Sequence, residues 1–88
     1  MTESEFIVKV EREYTFIKNT LQSCRTTEQI DNIVRWIDSI YSIKYFNMVS
    51  NIKADTYSKH QLRLYVTERF EQLLELIRAH RHNIMKVG

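Results

Sequence analysis

The near absence of glycine and proline restricts this chain more than any other feature of its sequence. The chain has one Gly, at its last position, and no Pro, where average usage would give about six Gly and four Pro. Phosphate-cradling loops, dinucleotide fingerprints and nucleophile elbows depend on glycine, and sheet-rich folds need positive-φ residues at their turns. The sequence therefore predicts an all-α protein.

The length and the charge set further bounds. A chain of 88 residues forms one domain and buries only about 60–65% of its unfolded surface, so oligomerisation is a common source of added stability. The net charge of +2 is too small to indicate nucleic acid by itself. No apolar run is long enough to span a membrane, and the acidic residues Glu3 and Glu5 do not fit a signal peptide. We therefore expect a cytoplasmic protein without membrane contact.

Hydrophobic periodicity divides the chain into three helices. Apolar residues at helical spacing predict a first helix over about residues 3–23, with the core-facing row Ile7, Val10, Tyr14, Ile17 and Leu21, widened by Phe6 and Cys24. A capping box of Thr26 and Gln29 predicts the start of a second helix over about 27–52. Ser58 with Gln61, or alternatively Asp55, starts a third over about 59–84. Short connections place sequential helices antiparallel, so we expect a three-helix antiparallel bundle with long second and third helices.

The second helix carries a wider apolar arc than a surface helix normally shows. Trp36, Ile40 and Ile43 form one edge of that arc, and Phe46 projects from the otherwise polar side. One interpretation is that the helix lies in the middle of the bundle and all of these residues are core. The other is that two neighbouring helices cannot cover the arc, and that these four residues form a homo-oligomer or partner-protein interface.

Basic residues gather towards the C-terminus. Arg78, Arg81, His82 and Lys86 lie in the last turns of the third helix, where cations are favoured by the helix dipole without any further role. The alternative is a contact with phosphate or with an acidic protein surface. A second group of basic residues surrounds the connection before the third helix. The basic residues therefore lie at two opposite ends of the bundle and do not form one continuous stripe. This separation weakens a nucleic-acid hypothesis.

No constellation indicates catalysis or a bound metal. Cys24 is the only cysteine, which excludes an intramolecular disulfide and a cysteine-based zinc site and is typical of a reducing compartment. One interpretation is that the nearby predicted helix start lowers the pKa of the Cys24 thiol and makes it reactive. The other is that Cys24 is a small apolar residue that ends the core-facing row of the first helix. His80 and His82 are two residues apart and point to opposite sides of a helix, whereas paired ligands need a spacing of three or four. We therefore expect no enzymatic activity, no metal and no cofactor.

The segment from Cys24 to Ile30, Cys-Arg-Thr-Thr-Glu-Gln-Ile, followed by Trp36-Ile37-Asp38, resembles short, mostly uncharacterised helical proteins of large tailed bacteriophages. The resemblance covers about 15 residues and assigns no functional residue. It implies a small non-enzymatic protein that binds and modulates a host or phage protein. The residues themselves favour the same hypothesis, a cytoplasmic and dimeric binding protein, with a nucleic-acid or nucleotide-phosphate binder as the alternative.

Overall fold

The protein is an elongated three-helix bundle, as the sequence predicts. The computed structural model describes the backbone of residues 1–87; the side chains of Tyr41, Ser42 and Val87 and the whole of Gly88 lie outside that description. The rod measures 50 × 17 × 17 Å. Its elements are α1 (Glu3–Gln22), α2 (Thr27–Ile37), a π-helical segment (Asp38–Lys44), α3 (Tyr45–Ser50) and α4 (Thr56–Val87). The 32 residues of α4, at 1.5 Å each, span the whole length of the rod.

Side-chain caps fix where the helices begin. Thr2 accepts a hydrogen bond from the backbone N–H of Glu5 and starts α1. The predicted capping box is present: the Thr26 hydroxyl accepts from the Gln29 N–H, and the Gln29 side chain accepts from the Thr26 N–H. These bonds satisfy amide groups that have no partner inside the helix.

At the start of α4 the alternative cap is the one used. The Asp55 carboxylate accepts from the backbone N–H of Ser58 at 2.7 Å, so Ser58 is the third residue of the helix and not its cap. The helix consequently begins at Thr56, three residues before the predicted start, and it continues to Val87, beyond the predicted end at 84.

The predicted second helix is interrupted by a π-helical turn. The backbone N–H of Tyr45 donates to the carbonyl of Ile40, five residues earlier, instead of four. Among the side chains that the structure describes, which exclude Tyr41 and Ser42, the buried positions follow the same interruption: the step from Ile40 to Tyr45 is five residues, and all other steps are three or four. Those residues are Ile30, Ile33, Ile37, Ile40, Tyr45, Val49 and Ile52. The π turn therefore changes which residues face the core in the second half of this helix.

The position of Ile40 corrects one prediction. We placed Ile40 on an exposed edge together with Ile43, but Ile40 is only 7% exposed whereas Ile43 is 63% exposed. The prediction grouped Ile40 with Ile43, but Ile40 follows the buried Ile37 by three residues, which keeps it on the core side of the helix. Ile40 therefore belongs to the core of the bundle.

The remaining core is close to the predicted one. On α4 the predicted row is buried at Leu62, Val66, Leu73 and Ile77. On α1, Phe6 is fully buried and packs edge-on against Tyr45 with ring centroids 5.6 Å apart. Its neighbour Ile7, which we expected in the core-facing row, is exposed. The larger aromatic ring takes the inward position, and the adjacent residue is turned about 100° away.

Candidate protein-binding surface

Two exposed aromatic rings lie against each other on the seam between α1 and α2. Phe16 packs edge-on against Trp36, with ring centroids 5.7 Å apart and ring planes at 86°. Phe16 is 60% exposed, and Trp36 is exposed as well. The edge-to-face arrangement is favoured because the positive edge of one ring meets the negative face of the other. We call Phe16 and Trp36 the aromatic surface.

The same local geometry turns both rings outward. Phe16 precedes the fully buried Ile17 by one residue, and Trp36 precedes the fully buried Ile37 by one residue. A step of one residue rotates a side chain by about 100° around a helix, so each ring lies on the flank of its helix. Because α1 and α2 are antiparallel, these two flanks face each other. The core thus positions the aromatic surface without burying it.

Phe16 is the residue that sequence analysis missed. It lies outside the apolar row of α1, so its ring was not connected to the second helix. The available signal was a large aromatic residue on the polar side of a helix, next to a core position. Only the packing of α1 against α2 pairs it with Trp36.

The structure does not bring the other predicted interface residues to Trp36. Phe46 is exposed, but it follows the buried Tyr45 by one residue, whereas Trp36 precedes a buried residue, so the two rings lie on opposite flanks. Ile43 comes two residues before Tyr45 and points outward. Its neighbour Lys44 forms an ion pair with Glu13 of α1 at 3.8 Å. Exposed apolar side chains on this helical rod are therefore distributed around it.

An open groove extends along the N-terminal half of α1. Its volume is about 620 Å³, and its lining includes Val8, Arg12 and Glu13. Arg12 lies one helical turn before Phe16, so the groove ends beside the aromatic surface. Lys9 and Lys44 both approach the Glu13 carboxylate at 3.8 Å. This end of the groove combines an apolar side chain with a small excess of positive charge.

The predicted basic contact residues separate into two sets. Arg81 forms an ion pair with Asp31 of α2 at 2.6 Å, which ties the end of α4 to the start of α2. Arg78, His82 and Lys86 are exposed and follow each other at intervals of four, so they share the outward side of α4. Arg81 therefore has a structural partner, and the other three residues face solvent.

A polar cluster ties α1 to α4 near the middle of the rod. The Arg69 guanidinium contacts the Glu11 carboxylate at 2.6 Å and lies 4.8 Å from the ring centre of Tyr14. The Tyr65 hydroxyl also donates to Glu11. Opposite charges and aromatic faces thus satisfy both ionic groups. The arrangement positions two helices and leaves no unpaired base for chemistry.

Cys24 and His80 form a second tie between the α1–α2 connection and α4. The His80 Nε2–H donates to the Cys24 carbonyl at 2.9 Å. Burial raises the pKa of the Cys24 thiol, since the charged thiolate is poorly solvated there. A raised pKa makes the thiol a weaker nucleophile at neutral pH, which favours the interpretation of Cys24 as a packing residue.

Neither a metal cluster nor a membrane-spanning helix is found in the described part of the chain. No three His, Cys, Asp or Glu side chains there come close enough to hold an ion. No helix among these residues is both long and apolar enough to cross a bilayer. Comparison with known proteins identifies no relative: no family model, curated protein or solved structure matches this chain. The candidate site must therefore be judged on its own geometry.

Proposed function

We propose that this chain is a non-enzymatic, cytoplasmic binding protein that modulates another protein by docking on it through the aromatic surface. The observation that carries the proposal is the exposed edge-to-face pair of Phe16 and Trp36. Aromatic residues are enriched at the energetic centres of protein interfaces, where they bring large apolar area at low entropic cost. The groove along α1 supplies a recess beside the rings, and Arg12 supplies a rim charge.

The resemblance to bacteriophage proteins extends the proposal to the kind of partner. The partner would be a host or phage protein that this chain inhibits or redirects by occupying its surface. Such a role needs no cofactor and no catalytic residue. Burial of two large rings at about 25 cal/mol per Å² is enough to dominate a small interface.

Trp36 offers a direct test because it is the only tryptophan in the chain. We expect a protein captured from a bacterial host lysate to shift the Trp36 emission to the blue and to protect it from acrylamide quenching. The variant Phe16→Ser/Trp36→Ser should lose capture, while the control Tyr57→Ser should retain it, since Tyr57 is an even more exposed aromatic residue and lies on α4. Equal capture by the aromatic-surface variant and wild type would refute the proposal.

A phosphate-binding role is the second proposal, and it depends on one observation. Arg78, His82 and Lys86 face solvent along one side of α4. Acidic residues Glu71 and Glu75 precede them on that side, and this charge weakens attraction to a nucleic-acid backbone. Binding of labelled RNA or DNA that falls steeply with salt would support this role, because released counterions dominate phosphate contacts.

A further inference from the structure

The outward side of α4 carries a regular row of exposed residues that docking through the aromatic surface does not use. Leu64, Glu71, Arg78 and Met85 follow each other at intervals of seven, so they lie along one side of the helix. Leu64 is 44% exposed and Met85 67% exposed, and both charged residues are exposed. We call these four residues the α4 row.

Along the chain, the α4 row reads apolar, acidic, basic, apolar. When a second copy of the row runs in the opposite direction, each apolar residue faces an apolar residue and each acidic residue faces a basic one. A second α4 running antiparallel, with a two-fold axis between residues 74 and 75, places Leu64 opposite Met85 and Glu71 opposite Arg78. Each pair then occurs twice, as a two-fold interface requires. A parallel arrangement in the same register would instead place glutamate on glutamate and arginine on arginine.

The charged members of the row have no partner of their own within the described part of the chain. Two other arginines of α4 do: Arg69 contacts Glu11, and Arg81 contacts Asp31. The side chains of Glu71 and Arg78 form no ion pair or hydrogen bond with any side chain that the structure describes. Both charges are therefore available to a facing surface of opposite pattern.

We propose that this protein forms an antiparallel homodimer through the α4 row. The row extends over about 32 Å, from 21 residues at 1.5 Å each. A strip of that length and about 10 Å width is small for a protein interface, so the dimer should be weak and transient. The sequence predicted self-association through Trp36, Ile40 and Ile43, and the burial of Ile40 moves the better-supported dimer surface to α4.

Glu75 makes the proposal unusually specific. It lies beside the proposed two-fold axis, where the two copies bring the same carboxylate close to itself. Like charges that meet across an interface weaken it. Removal of the Glu75 charge should therefore tighten the dimer, whereas removal of the Glu71 charge should weaken it. The two residues are four apart on the same exposed side of one helix, so each is a control for the other.

The dimer leaves the aromatic surface free. In a three-helix bundle the outward side of α4 lies opposite the seam between α1 and α2, where Phe16 and Trp36 are found. A dimer would thus present two aromatic surfaces, and a partner with repeated sites would bind it with avidity. The dimer and docking through the aromatic surface involve different residues and can fail independently.

Sedimentation equilibrium of the full chain between 5 and 500 μM tests the proposal. We expect a monomer–dimer equilibrium that Glu71→Arg and Arg78→Glu each weaken at least tenfold and that the double charge exchange restores. Glu75→Gln should tighten it severalfold, and Phe16→Ser/Trp36→Ser should leave it unchanged. All substituted positions are exposed, and circular dichroism checks that each variant is folded.

A wild type that stays monomeric at 500 μM, single reversals without effect, or a double exchange that fails to restore the dimer would each overturn the proposal. Loss of the dimer in the Phe16→Ser/Trp36→Ser variant would overturn it in favour of association through the aromatic surface.

Discussion

Substitution of Ile40 and Ile43 by alanine tests the π-helical turn directly. The two isoleucines are three residues apart, but Ile40 is 7% exposed and Ile43 is 63% exposed. A helix with uninterrupted α-helical hydrogen bonds would continue the apolar row from Ile40 to Ile43. The π turn instead passes from Ile40 to Tyr45. The same Ile→Ala substitution should therefore lower the stability of the protein far more at position 40 than at position 43.

The difference can be estimated from burial. Ile→Ala removes three carbons, worth about 2.4 kcal/mol when fully buried at about 0.8 kcal/mol each, and a residual cavity raises the cost into the range of about 2–5 kcal/mol. Better helix propensity of alanine returns about 0.4 kcal/mol at either site. We expect Ile40→Ala to lower the free energy of unfolding by about 2–4 kcal/mol. At Ile43 only about a third of the side chain is covered, so the expected loss is about 0.5 kcal/mol.

Urea denaturation followed by circular dichroism measures both values. With an m-value of about 1 kcal/mol per M for a chain of this size, the midpoint should fall by about 2–4 M for Ile40→Ala and about 0.5 M for Ile43→Ala. Total stability of a small domain is itself only several kcal/mol, so Ile40→Val, with an expected loss of about 0.5–1.5 kcal/mol, serves where the alanine variant does not fold. A larger loss at Ile43 than at Ile40 would refute the π-helical register.

Three further predictions follow from the caps and the thiol. Thr26→Ala should lower the free energy of unfolding by about 0.5–2 kcal/mol, measured by urea denaturation, because it removes the acceptor in the capping box; an unchanged midpoint would place the cap elsewhere. The backbone N–H of Ser58 lowers the pKa of Asp55, so its carboxylate adds stability above the unfolded pKa of about 3.9 and loses that contribution as pH falls through the lower, folded pKa. The difference in midpoint between wild type and Asp55→Asn should therefore change between pH 5 and pH 2, and a constant difference would contradict this origin. Burial raises the pKa of Cys24, so its reaction with a disulfide reagent at pH 8 should be about tenfold or more slower in the folded protein than in urea; equal rates would show that the thiol is accessible.

Elements that depend on local chemistry could be predicted from the sequence. The scarcity of Gly and Pro and the helical spacing of apolar residues were enough to identify three helices. The cap at Thr26 was also predictable, because a capping box involves only residues three apart in sequence. At α4 the same pattern was present twice, in Asp55 and in Ser58, and sequence alone left both open. The structure uses Asp55, which begins the helix one turn earlier.

Features that depend on packing between helices could not be predicted in the same way. The five-residue step from Ile40 to Tyr45 is visible in the sequence, but an apolar residue at position 43 made an α-helical row equally plausible. Burial of the Tyr45 ring against Phe6 distinguishes the two registers, and that contact joins residues almost forty positions apart. The pairing of Phe16 with Trp36 is of the same kind, since neither residue indicates the other by its spacing.

The π-helical turn also changes what a wide apolar arc means. Under α-helical periodicity the arc on the second helix exceeds what two neighbours can cover, which suggests a large exposed face. With a step of five residues from Ile40 to Tyr45, part of the arc faces the core and the rest is spread around the rod, so no single exposed face forms. Among the described side chains of this helix, the exposed large apolar ones are divided: Trp36 against Phe16 at the α1–α2 seam, Ile43, and Phe46 on the opposite flank. Surfaces of this size bind through a few well-placed side chains more than through total area, so docking on another protein should depend on Trp36 and its neighbour Phe16 and not on the apolar content of the helix as a whole.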